Sequence, residues 1–244
     1  TGAIIIVIDV TEKEQGEKLR REFTSNVSHE LKTPLTSIYG VSDMLASGMV
    51  KSEDVSGFAS TIKEESARLI SLIDDIIKLS RLDESAAPTA QESQVLDVYG
   101  SAQDAVDRLS RKAEDNQVEL IFEGEPSEII GVQHVLDEII YNICENAIKY
   151  NRPGGFVKVS VRNQGTDSVI TVADNGIGIP KGDRERVFER FYRVDKSHSK
   201  EIGGTGLGLS IVKHGVMYLG GRVELESEEG KGTVVTVRFP RKVS

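Results

Sequence analysis

The sequence predicts an α-helical hairpin that pairs into a dimeric four-helix bundle, followed by an α+β sandwich. Three observations predict it. Two long segments in the first third of the chain carry apolar residues at helical spacing, one ending near Gly48 and the next opening at Ser52. A short polar stretch containing Pro88 interrupts the pattern. Beyond it helical and strand patterns alternate, and the strands arrive mostly in adjacent pairs, which favours a mixed or antiparallel sheet with helices on one face. The composition agrees: 244 residues leave room for one large or two ordinary domains, and 5% aromatics with no Trp imply an aliphatic core.

The net charge of −9 argues against a nucleic-acid partner, which would call for a basic surface. The single cysteine, Cys144, excludes an intrachain disulfide and a Cys-based zinc cluster, and suits a reducing compartment. It reads as a small buried residue in a helix. Ile4–Ile8, the longest strongly apolar run, is far too short to span a bilayer, and no signal peptide is apparent.

Thr1–Val10 reads as a strand without a partner nearby in sequence, so the chain is expected to be cut from something longer, with 1–11 as the end of an upstream domain. From Thr11 to Gly48 one long helix follows, with Phe23, Val27, Leu31, Leu35, Ile38, Leu45 and Met49 on one arc. His29 falls about 170° from the middle of that arc, and Thr33 lies one turn further along the same polar side. Pro34 cannot donate to the carbonyl of Glu30, so a kink is expected just beyond the histidine. Taken locally, His29 reads as an ordinary surface histidine of an amphipathic helix, and only the later stretches reverse that.

The second helix, to about Leu82, carries a stripe of Val55, Phe58, Ile62, Leu69, Leu72, Ile76 and Leu79. Two stripes this wide cover one another poorly, and pairing two hairpins buries both, which implies a homodimer. Residues 12–86 are therefore read as a dimerisation domain, 87–93 as a linker and 94–244 as a second domain. In the latter, helices are expected near Tyr99–Asp115, Val132–Tyr150 and Leu207–Leu219. Strands are expected near Val118–Phe122, Phe156–Arg162, Ser168–Ala173, Arg222–Glu226 and Thr233–Phe239.

Three stretches of this domain suggest a nucleotide. Asn142, Asn146 and Lys149 share one helix face, offering amide oxygens to a hard cation and an ammonium to phosphate. An exposed polar face would look the same. Asp174-Asn175-Gly176-Ile177-Gly178-Ile179-Pro180 follows a strand; its carboxylate can accept from an exocyclic amine, and its glycines let a flat ligand approach. An ordinary Asn-Gly turn is the alternative. Gly203-Gly204-Thr205-Gly206-Leu207-Gly208 opens an apolar helix, whose N-terminal amides favour anions. It is not a Walker A loop, because no Lys-Ser/Thr follows the glycines. Between the last two lie Phe188-Glu189-Arg190-Phe191-Tyr192-Arg193 and a polar segment to Thr205 with the makings of a lid.

In this order, and with the His29 block ahead of them, these stretches resemble the sensor histidine kinases of two-component systems over essentially the whole chain. His29–Pro34 resembles the H box, Asn142–Tyr150 the N box, Asp174–Gly178 the G1 box, Phe188–Tyr192 the F box and Gly203–Gly208 the G2 box. Gly2–Thr11 resembles the last strand of a PAS domain. Within the family the likeness is strongest to phosphate-sensing and cell-wall-sensing membrane kinases.

The resemblance implies a Bergerat ATP-binding fold for 94–244, with ATP and Mg²⁺ as ligands. It assigns Asn146 to magnesium, Asn142 and Lys149 to phosphate, and Asp174 to the adenine amine. Tyr150, Gly176, Gly178, Ile179 and Phe188 would line the nucleotide, with Arg193, Gly204, Thr205, Gly206, Leu207 and Gly208 at the lid. His29 would be phosphorylated, Glu30 would accept its proton, and the phosphoryl group would pass to an aspartate of a response regulator receiver domain. Thr33 would orient a water that dephosphorylates that regulator. The related ATPases carry a glutamate where this chain has Asn142, and an amide cannot take a proton from water. The chain is expected to be the cytoplasmic portion of a membrane-anchored bacterial sensor, reaching the membrane only through segments outside it. Two readings compete: a nucleotide-binding scaffold without chemistry, against which His29, Asn146, Asp174 and Gly206 are intact, and a general ATPase, against which Asn142 speaks.

Overall fold

The computed structural model describes residues 11–84, 87–89, 91–194 and 204–242. Residues 1–10, read above as a strand, and 195–203, read above as most of a lid, lie outside the described residues. The chain divides into two compact units between Ile73 and Asp74.

The first unit holds helix α1, Thr11–Ala46, and the opening part of helix α2, Val55–Glu84. Helix α1 runs unbroken through Pro34. At its end Gly48 adopts φ +70°, its N–H reaches the Leu45 carbonyl (3.3 Å), and that of Met49 reaches the Met44 carbonyl (3.3 Å). That pair of bonds is a Schellman cap, in which a left-handed residue lets the chain turn back on the last carbonyls. Helix α2 starts at Val55 rather than Ser52, because the Asp54 N–H first closes its own turn onto the Lys51 carbonyl (2.9 Å). Leu35 and Met49, expected in the buried stripe of α1, are 57% and 70% exposed, and Tyr39 and Ile70 are exposed with them. A single chain leaves these apolar positions uncovered.

Among the described residues, the second unit begins with the last turns of α2 and contains a two-stranded sheet, a five-stranded sheet and three further helices. Its elements are β1 (Gln94–Asp97), α3 (Val98–Asp115), β2 (Glu119–Gly124), β3 (Glu128–Gly131), α4 (Gln133–Lys149), β4 (Phe156–Gln164), β5 (Asp167–Asp174), a 3₁₀ turn (Arg186–Phe188), α5 (Gly208–Tyr218), β6 (Arg222–Glu228) and β7 (Gly232–Pro240). The larger sheet has the order β2-β4-β5-β7-β6 and is mixed: β2 and β4 are parallel and the other pairs antiparallel. A parallel pair needs a long crossover, and β3 with α4 supplies it.

Alternation along β4 sets the two faces of the sheet. Val157, Val159 and Val161 are fully buried in the core with Leu136, Ile139, Ile140 and Ile143 of α4, while Lys158 and Arg162 pair with Glu123 of β2 on the other face (3.0 and 2.9 Å). Helix α4 lies between α3 and α5 and packs on β4 and β5. Asp97 caps α3 by accepting from the Gly100 N–H (3.0 Å). The five expected strands are all present. Strands β1 and β3, which pair antiparallel from Gln94↔Gly131 to Asp97↔Glu128, are additional; four residues each is too short for a periodic signal.

Candidate functional site

His29, Glu30 and Thr33 belong to α1 in the first unit. His29 and Thr33 are exposed, as the wheel predicts, whereas Glu30 is half-buried. The Thr33 hydroxyl donates to the His29 carbonyl at 3.3 Å, a long bond that a hydroxyl on a wet helix face exchanges readily for water. Pro34, by contrast, is buried.

The nucleotide candidates converge in the second unit around α4. Its apolar side holds Cys144 fully buried, with the thiol pushed up to about 12 by desolvation, so this group is inert. The other side presents Asn142, Asn146 and Lys149. Asn142 Nδ2 donates to the Glu138 carbonyl (2.8 Å) and lies 3.4 Å from a Glu138 carboxylate oxygen, so its Oδ1 is turned away from them. A Cβ added to Gly208 would meet that Oδ1 at 3.0 Å and Asn146 Nδ2 at 3.3 Å. The first residue of α5 therefore faces both amides across a gap that a side chain would fill. Gly204 is held in the same way against the Lys149 ammonium, which also lies 5.1 Å from the centroid of the Tyr150 ring. Burial raises the Tyr150 hydroxyl above its ordinary range.

The Asp174–Ile179 turn is bound on both sides. Asp174 Oδ1 accepts from the N–H groups of Gly176 (2.9 Å) and Thr233 (3.2 Å), while Oδ2 takes no part in these bonds. Burial raises this carboxyl and the two amides partly offset the rise. The Ile177 N–H donates to the Tyr150 carbonyl (3.0 Å), and the Gly230 N–H to the Ile177 carbonyl (2.7 Å). At Gly178 φ is +66°, and an added Cβ would strike the Glu228 carbonyl oxygen. Gly178→Ala is accordingly expected to cost at least about 2 kcal/mol through left-handed strain and backbone clash, lowering the melting temperature by roughly 4–8 °C and weakening nucleotide binding. A thermal melt with and without ATP checks it.

Phe188 ends the 3₁₀ turn and is half-buried. Phe191 adopts φ +62°, uncommon for an aromatic residue, with its N–H on the Gly206 carbonyl (2.9 Å). A Cβ at Gly206 would press on the Phe191 backbone at 3.0 Å. The F-box segment and the glycine loop are thus in direct contact. The half-buried Arg193 side chain lies in the same stretch. Thr205 accepts from the Leu207 N–H (3.2 Å) and donates to Asp75 of α2 (2.7 Å); Leu207 is fully buried.

Several contributors escaped the sequence reading. Glu138, which orients Asn142, is paired with Lys78 of α2 at 2.8 Å. Asp83 holds Arg190 (2.6 Å) and His214 (3.2 Å). Ser227 and Thr233 bind the Asp174–Ile179 turn from β6 and β7. These are single polar residues in elements read for their apolar pattern, and only the Gly230-Lys231-Gly232-Thr233 hairpin offered a local cue.

The pieces fit a magnesium–nucleotide. Backbone-lined glycine gaps face two carboxamides and an ammonium, at the start of a helix whose dipole favours anions. Among the described residues no group of three or more His, Cys, Asp or Glu could hold a metal ion. A cation here would be held by amide oxygen, water and phosphate, the usual habit of magnesium.

Two family models match the chain. Residues 131–243 match the family described as histidine kinase-, DNA gyrase B- and HSP90-like ATPase, and residues 19–85 match the His Kinase A (phospho-acceptor) domain. The sensor histidine kinase WalK of Bacillus subtilis (strain 168) is 38% identical over 99% of this chain, which spans 40% of that protein. The sensor-like histidine kinase SenX3 of Mycolicibacterium smegmatis is 38% identical over 98% of this chain, which spans 62% of it. The chain thus covers only part of the length of these relatives. Among solved structures, full-length ShkA in complex with AMPPNP is 25% identical with a TM-score of 0.67, covering 91% of this chain and 46% of that one. No described helix is long and apolar enough to cross a membrane.

Proposed function

We infer the activity of this chain from the premise that it belongs to the sensor histidine kinases, and we propose that it is their catalytic core. It binds ATP with α4, the Asp174–Ile179 turn and the loop opening α5, and it transfers the γ-phosphoryl group to His29. One observation carries this reading: the helix that gathers the phosphate-binding groups offers an amide, Asn142, where a hydrolase needs a base, and the Glu138 carboxylate beside it is paired with Lys78. ATP held there is kept from water and retained for a protein acceptor.

In the transfer, an imidazole nitrogen of His29 forms a bond to the γ-phosphorus as the bond to the bridging oxygen breaks. ADP leaves with that electron pair, and the proton on the other ring nitrogen passes to Glu30, adjacent in sequence. Phosphoryl transfer requires chiefly positioning and charge neutralisation, which fall to Asn142, Lys149 and Arg193, with Asp174 accepting from the adenine amine. Tyr150, Gly176, Gly178, Ile179 and Phe188 shape the base side, and Gly204, Thr205, Gly206, Leu207 and Gly208 the phosphate side. Magnesium, held by Asn146, supplies further neutralisation of phosphate charge when bound. The test is stoichiometry: with MgATP, ADP should appear together with protein-bound phosphate and then stop, whereas continuous phosphate release without protein labelling would identify an ATPase.

The chain acts as a homodimer, its exposed Leu35, Tyr39 and Ile70 meeting the same residues of a second copy. Phosphohistidine is passed to an aspartate on a response regulator receiver domain, for which the exposed His29–Thr33 face is open, and the whole protein is anchored in a membrane by segments outside this chain. Thr33→Ala is expected to leave autophosphorylation intact and to slow dephosphorylation of the regulator by roughly 10²-fold, because only a positioned water depends on the hydroxyl. Aspartyl-phosphate decay, followed with ADP present, checks it; a wild-type rate would return Thr33 to being a solvent-facing helix residue.

A further inference from the structure

Tyr192 is gripped at both ends of its side chain. Its hydroxyl donates to Asp183 Oδ1 at 2.5 Å, the length of a charge-assisted O–H···O⁻ bond. The Arg186 guanidinium lies 4.2 Å from the centroid of its ring, within reach of cation–π attraction. Asp183 is itself tied down. Its N–H donates to the Pro180 carbonyl (2.9 Å), and its carbonyl accepts from the Val187 N–H (2.9 Å). Pro180 directly follows the Asp174–Ile179 turn. The Tyr192 hydroxyl therefore bonds, across nine residues, to the segment that leaves the base side of the nucleotide site.

The residues on either side of Tyr192 belong to the phosphate side. Before it, Phe191 has φ +62° and its N–H on the Gly206 carbonyl (2.9 Å). A bulky residue stays in the left-handed region only where its surroundings hold it there. Gly206 holds Phe191 through that N–H, and the gripped Tyr192 holds its other end. After Tyr192 comes Arg193, half-buried. Burial raises the Tyr150 hydroxyl and the Arg193 charge partly offsets the rise, so the guanidinium lies near that hydroxyl. A Cβ added to Gly204 would in turn stand 3.9 Å from the Tyr150 hydroxyl and against the Lys149 ammonium. An arginine side chain has many rotamers, so where its charge sits depends on how firmly its backbone is anchored. We propose that Asp183 is a positioning residue for the phosphoryl transfer: by holding the Tyr192 hydroxyl, it sets Arg193 against the phosphate side of the nucleotide. The inference rests on the reading of this chain as a kinase that binds ATP at this site.

The test follows labelling of the full chain by γ-labelled ATP over a range of ATP concentrations. Asp183→Ala and Tyr192→Phe should each slow transfer at saturating ATP by roughly 10-fold, the order expected when a charged group drifts from the reacting phosphate. The half-saturating ATP concentration should stay essentially unchanged, because Arg193 acts on charge that develops during transfer. Asp183→Asn, which keeps an acceptor oxygen, should restore most of the rate. In an Arg193→Ala background Tyr192→Phe should cost nothing further, since its effect passes through Arg193. A merely structural bond would instead raise the half-saturating concentration, or slow the Arg193→Ala chain as much as wild type, and either result would overturn the proposal. A wild-type rate in Tyr192→Phe would overturn it equally. Should Asp183→Ala lack a cooperative melt, Tyr192→Phe carries the test, because it keeps the ring beside Arg186. If the wild-type chain binds ATP and transfers nothing, the kinase reading fails and takes the inference with it; a labelled wild type with unaffected variants removes the inference alone.

Discussion

His29→Gln is expected to abolish phosphoryl labelling of the chain while leaving ATP affinity essentially unchanged. The glutamine amide is close to imidazole in size and polarity, and the site is exposed on α1, so neither helix packing nor folding should suffer. What is lost is the nucleophile: an amide nitrogen, its lone pair delocalised into the carbonyl, does not attack phosphorus at neutral pH. The nucleotide groups lie on α4, the Asp174 turn and the opening of α5, all in the second unit, whereas His29 belongs to the first. Binding and labelling should therefore separate completely. Calorimetric titration with ATP, run beside incubation with γ-labelled ATP, reads both; acid-labile label on the mutant would mean that another residue is the acceptor.

The second large effect is expected at Asn146. Asn146→Asp replaces a neutral amide, whose nitrogen lies near the first residue of α5, with a carboxylate facing the phosphate side. The new charge repels the phosphates and removes a donor, so magnesium-dependent phosphoryl transfer should fall by roughly 10²-fold or more. Cys144→Ser, two residues away, is the control. Cys144 is fully buried in the apolar core, on the opposite side of α4. A hydroxyl there should reduce stability by about 1–3 kcal/mol and barely alter nucleotide use. Equal losses of nucleotide affinity in the two variants would mean that α4 presents a different face to the ligand.

Much of this was legible in the sequence because it repeats. The stripes of α1 and α2, the buried face of α4 and the alternation along β4 and β5 each spread one signal over many residues. The exposed side of α1 and the ligand side of α4 follow from 100° steps alone. The glycine clusters were legible for a different reason: few structures other than tight turns and close backbone approaches call for several glycines in six residues. What stayed hidden comes from pairings distant in sequence. Nothing near Ser227 announces Ile179, and nothing near Asp75 announces Thr205, yet bonds of 2.8 and 2.7 Å join them. Strands β1 and β3 were missed because β-pairing, not periodicity, defines elements so short. The exposure of Leu35 and Met49 shows the converse limit, since an apolar arc marks a face to be covered without saying which copy of the chain covers it.

The central claim is that phosphate from ATP ends on the imidazole of His29. The most direct measurement incubates the wild-type chain with γ-labelled ATP and magnesium, then follows the label through acid and alkali and locates it by mass spectrometry of proteolytic peptides. A phosphoramidate bond is lost in acid and survives alkali, so the account predicts acid-labile, alkali-stable label on the peptide containing His29. Acid-stable label, label on another peptide, or phosphate released to solvent with no protein adduct would contradict it.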